Sequence, residues 1–148
     1  NLKARAKVAW ASTLAGLVES TSSCTSEHSM EHAMSAIYPE LPHGAGLIAL
    51  SEAYFETFRN DCMKRYMKMS EAMTQQKSNR PSDFIEALIL MQKECGVRDI
   101  KLSDWGIKEE DLPEMVRNAK DTMGGLFTLD PRPLTDDEIL GIYRKSYK

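Results

Sequence analysis

A chain of 148 residues with 42% hydrophobic and 28% charged side chains is long enough to bury one core and has the make-up of an ordinary globular domain. A net charge of −3 with no basic stripe argues against nucleic acid as a partner, and no apolar run approaches the roughly 18–20 residues of a membrane span, so no membrane partner is expected. Cys24, Cys62 and Cys95 are odd in number and far apart, which is neither a disulfide framework nor a C-x-x-C site, and fits reduced thiols in a cytoplasmic protein.

The first six residues, Asn1-Leu2-Lys3-Ala4-Arg5-Ala6, read as the inside of a helix with no initiator methionine, signal peptide or cap, which suggests a piece cut from a longer polypeptide. Ala6, Trp10, Leu14, Leu17 and Val18 recur at helical spacing and predict a first helix over 2–19. The Ser/Thr cluster from Ser20 to Thr25 breaks it. Ser26 is then placed to cap a second helix that runs to about Tyr38, where Pro39 and Pro42 stop it. Residues 43–60 are apolar nearly all round in their first half, which predicts a buried third helix; 61–74 continue as an amphipathic one. Pro81 suits a first helical position, and the helix it opens ends at Gly96. A short irregular stretch from Leu102 to Ile107 precedes a helix over 108–122, which Gly124-Gly125 is expected to stop. Thr135-Asp-Asp-Glu138 is a capping-box pattern opening a last helix to about Tyr147. No strand alternation appears, so the fold class is all-α, a compact bundle of about seven helices in a single domain. The nine methionines are expected to fill its core.

The three histidines, His28, His32 and His43, all fall within sixteen residues. Neutral imidazole is the commonest protein ligand for zinc, copper and ferrous iron. Residues four apart share a helix face, so His28 and His32 are neighbours, and His43 can enter from the next turn. One reading takes His28-x-x-Glu31-His32 as the H-x-x-E-H motif of a zinc metallohydrolase, with Glu31 as general base. That motif is short and leaves Pro42-His43-Gly44 unexplained. Another takes the chain as a non-catalytic helical module whose histidines satisfy polar needs of the core.

A third reading uses the whole run. His28-Ser-Met-Glu-His32, followed by Pro42-His43-Gly44, resembles the histidine signature of the iron-containing (group III) alcohol dehydrogenases, in which an H-x-x-x-H helix is followed by an H-G step opening a long buried helix. Asp104-Trp-Gly-Ile107 to Leu112, Asn118 to Asp121 and Asp130-Pro-Arg132 to Thr135 resemble later landmarks of the same family in the same order. The resemblance covers essentially the whole chain. It implies the helical C-terminal domain of a dehydroquinate synthase-like fold. It further implies that His28 and His43 are metal ligands for Fe(2+), with Zn(2+) as the other option. His32 then lies beside nicotinamide and substrate as the catalytic proton carrier. An N-terminal domain, absent here, would supply the remaining ligands and bind most of the NAD or NADP. The implied activity is interconversion of an alcohol and an aldehyde or ketone by hydride transfer, in a possible homodimer, with this piece inactive alone.

Overall fold

The periodic apolar spacing becomes seven α-helices in the computed structural model, which describes residues 1–147 and contains no strand among them. They are α1 (Leu2–Thr21), α2 (Ser26–Ile37), α3 (His43–Thr57), α4 (Met63–Thr74), α5 (Ser82–Glu94), α6 (Leu112–Met123) and α7 (Asp136–Tyr147). Short 3-10 stretches occupy Leu102–Trp105, Glu109–Asp111 and Gly124–Leu129.

Helix boundaries depart from the sequence reading where local hydrogen bonding decides. The start of α1 is capped after all, since Asn1 Oδ1 accepts from the Ala4 amide at 3.3 Å. Thr25 rather than Ser26 holds the cap position of α2, without a side-chain cap bond of its own. The third helix stops at Thr57, and a turn separates it from α4. The helix expected from 108 begins only at Leu112, after a 3-10 turn, with Pro113 in the first turn where its missing N–H leaves no acceptor unserved. At its other end α6 stops at Met123, as Gly124-Gly125 predicts, but the chain continues as a 3-10 helix to Leu129 rather than as an open connection. The glycine after α5 behaves as expected, Gly96 taking φ +70°. So does the capping box of α7: the Thr135 amide donates to Glu138 Oε2 at 2.9 Å, and the Glu138 amide to Thr135 Oγ1 at 3.2 Å.

Helix α2 runs through the middle, packed on α3 and α6, while α7 and α5 pack on α3 and α4 pairs with α5. The core it organises contains Met30, Met34, Leu50, Leu112, Met115, Ile139 and Tyr143, all without exposure. Flexible methionines thus fill the space between helices, though Met63, Met73 and Met91 stay on the surface. Tyr143 donates its hydroxyl to the Met30 carbonyl at 2.8 Å, tying α7 to α2. Helix α1 is different: none of its residues is buried, and Trp10 is 62% exposed. No described helix is long and apolar enough to cross a membrane.

Candidate metal centre

The i, i+3, i+4 spacing of His28, Glu31 and His32 puts all three on one face of α2, looking toward the start of α3. The turn between the helices places the third histidine. The Leu41 amide donates to the Tyr38 carbonyl at 3.0 Å, and the Leu41 side chain is buried as its anchor. Pro42 then holds the extended cap conformation, φ −66° and ψ 133°, and its carbonyl accepts from Ala45 and Gly46 to start α3. His43 is therefore the first residue of the helix, at a position its backbone fixes.

The three rings meet. The His43 ring centroid lies 5.4 Å from that of His28 and 5.4 Å from that of His32. They line one cleft of about 390 Å³, which Cys24, Met123 and Leu126 also border. His28 is half-buried, whereas His32 and His43 are exposed. Burial, reinforced by the neighbouring imidazoles of His43 and His32, pushes the His28 ring below its ordinary pKa and keeps it neutral, the form that binds a metal.

Beneath the rings Glu31 has no exposure, and both its oxygens are engaged. Oε2 meets His43 Nδ1, and Oε1 accepts from Ser35 Oγ at 2.5 Å. A general base needs a carboxylate facing a cleft, so the hydrolase role considered for Glu31 has no group to perform it. Two of the three histidines reach solvent at one point, which also departs from histidines that merely satisfy a core. One atom each from Glu31, His32 and His43 lie within 4.8 Å of one another. Imidazoles converging from two helices are donors that suit ferrous iron or zinc.

Sequence reasoning missed the supports. Asp130, from the loop before α7, accepts from the Ser26 amide at 3.0 Å, from Ser26 Oγ at 2.5 Å and from Tyr54 Oη at 2.7 Å. It fills the N-terminus of α2 two residues before His28. Ser29 Oγ donates to the Met123 carbonyl at 2.8 Å, which sets the far wall of the cleft. In the sequence Asp130 belongs only to a run resembling a late landmark of the family, and the fold shows that this run returns to α2.

Fold and site together define an iron-type alcohol dehydrogenase domain: residues 1–147 match the C-terminal part of the Fe-containing alcohol dehydrogenase family, to which the chain belongs. Among curated relatives it is 31% identical to a long-chain primary alcohol dehydrogenase of Thermoanaerobacter ethanolicus and 29% identical to a 1,3-propanediol dehydrogenase of Klebsiella pneumoniae. Each match covers 99% of this chain and 38% of the relative, so the chain spans little more than a third of their length. Among solved structures, an archaeal halo-thermophilic alcohol dehydrogenase from a Red Sea brine pool superposes with a TM-score of 0.90 at 30% identity, over 99% of this chain and 38% of that one. A 1,3-propanediol oxidoreductase superposes with a TM-score of 0.87 at 26% identity, over 99% and 39%.

Proposed function

We propose that this chain is the metal-binding half of an NAD(P)-linked alcohol dehydrogenase, acting on a small alcohol or aldehyde together with a dinucleotide-binding half that precedes it. The observation that supports this is the convergence of His43, from the start of α3, on the His28 and His32 face of α2. When bound, ferrous iron or zinc would act as a Lewis acid on the alcohol or carbonyl oxygen, with the nicotinamide exchanging the hydride.

The chain's own residues have separable tasks in this reading. His28 and His43 hold the cation, with further ligands arriving from the preceding half. The neutral, half-buried state of His28 leaves a ring nitrogen lone pair free for that purpose. His32 stands on the same face but is exposed, so it carries the hydroxyl proton between the reacting oxygen and solvent. Met123 and Leu126 close one side of the cleft with apolar surface and limit water there. Two imidazoles from one half make an incomplete site, so the 148-residue chain alone is expected to be inactive.

The test is His32→Ala in the full-length enzyme. Loss of about 10²–10⁴-fold in kcat, with the imidazole limb of the pH–rate profile removed, is the expected result for a lost proton carrier. An unchanged rate and profile would remove His32 from the reaction.

A further inference from the structure

Glu31 is the one buried acid whose oxygens are both committed to the candidate site. Its Oε2 sits against Nδ1 of His43. Its Oε1 is held by Ser35 Oγ, one turn further along α2. Gly46 completes the seat from α3. A Cβ there would stand 2.8 Å from Glu31 Cγ, 3.0 Å from its Oε1 and 3.2 Å from Leu41 Cδ2, so only glycine leaves the carboxylate its place. Glu31 and Ser35 on α2 and Gly46 on α3 thus fix one imidazole, with Leu41 in the turn between the two helices.

We infer that Glu31 is a positioning residue that locks the His43 ring by accepting its Nδ1–H, so that Nε2 presents its lone pair to the metal. The inference rests on the metal reading of His28 and His43. It assigns the carboxylate to the layer behind the ligands rather than to the ligand set. A ring nitrogen must carry the proton for the other to ligate, and the acceptor on the far side decides which one does. With that acceptor present, the tautomer and the ring torsion are set before the cation arrives.

The experiment is Co(2+) binding by the full-length enzyme, measured by chelator competition and by the visible absorption of the bound ion. Glu31→Leu, which keeps the volume and removes the acceptor, is expected to weaken Co(2+) about 10–100-fold and alter the absorption bands. Glu31→Gln, whose amide oxygen still accepts from Nδ1, is expected to stay within about threefold of the parent with the parent's bands. Gly46→Ala, which displaces the carboxylate without touching its charge, is expected to move in the same direction as Glu31→Leu, and it stands in if Glu31→Leu fails to fold. His43→Ala is the reference and is expected to abolish tight binding. Parent-like affinity in Glu31→Leu or Gly46→Ala, with His43→Ala defective, overturns the inference alone. Loss in Glu31→Gln as complete as in His43→Ala also overturns it, because Glu31 would then be a ligand itself. Parent-like binding in both His28→Ala and His43→Ala overturns the metal reading beneath it.

Discussion

Glu27 stands one residue before His28, and its surroundings are the opposite of those of Glu31. It borders an apolar cleft with Leu47, Phe55 and Leu88, and its Oε1 has no hydrogen-bond partner. Burial pushes its carboxyl up to about 8, so it sits neutral at pH 7. An unsatisfied buried polar group of this kind costs about 1–3 kcal/mol. Glu27→Leu is therefore expected to raise the unfolding free energy at pH 7 by that order, read as a higher urea midpoint, without disturbing the three imidazoles. A lowered midpoint would mean that the carboxyl has found a partner. The pair of acids also marks what the sequence can and cannot tell at this scale. His28, His32 and His43 mark a candidate metal site by type and spacing. Glu31 does not, because an acid three residues after a histidine fits a hydrolase motif as readily as a supporting role. Which of the two it plays depends on where α3 begins, and that is decided by packing around Leu41 and Gly46.

At the scale of elements, the 3.6-residue period located all seven helices, because apolar residues recur at helical spacing in each, whether the structure buries them, as in α2 and α6, or leaves them exposed, as throughout α1 and at Met63 and Met73 of α4. The 3-10 stretches were not legible in the same way. They are set by which carbonyls happen to lie within reach at a helix end, as in Gly124–Leu129, where the two glycines allow either a stop or a tighter turn. The capping box of α7 was legible, and it carries a measurable consequence. The Arg132 guanidinium and the Thr135 amide beside Glu138 hold its carboxyl down at about 2, against an ordinary value of 4.5. A depressed folded-state value means that this contribution is complete above pH 4.5 and is lost as the pH falls toward 2. Glu138→Gln is expected to lower the thermal midpoint at pH 7 and to shrink the difference between pH 7 and pH 3. An equal drop at both pH values would show that the hydrogen bonds matter and the charge does not.

For the molecule as a whole, α1 is the element that the fold leaves unexplained. Its apolar residues recur at helical spacing, and the helix they predict forms, yet Trp10, Leu14, Leu17 and Val18 are all exposed. Periodicity reports that a face needs cover; it does not report what covers it. Under the proposed function, the preceding half of the enzyme is the cover. Most helical stability in proteins comes from packing an apolar face, and α1 buries none of its twenty residues. Amide hydrogens of α1 in the 148-residue chain are therefore expected to exchange orders of magnitude faster than those of α2 and α7, and to slow to the same range when the preceding half is present. Equal protection in the short chain would show that α1 needs no partner.

The hairpin of α2 and α3 brings Glu31 and His43 together across twelve residues, whereas the Asp130 clamp on Ser26 spans 104. Loop closure grows as the logarithm of that separation, which makes the shorter contact easier to form by about 2 kcal/mol. The pairing of carboxylate and imidazole is therefore the more local of the two contacts, and the clamp is the one that closing the whole chain must establish.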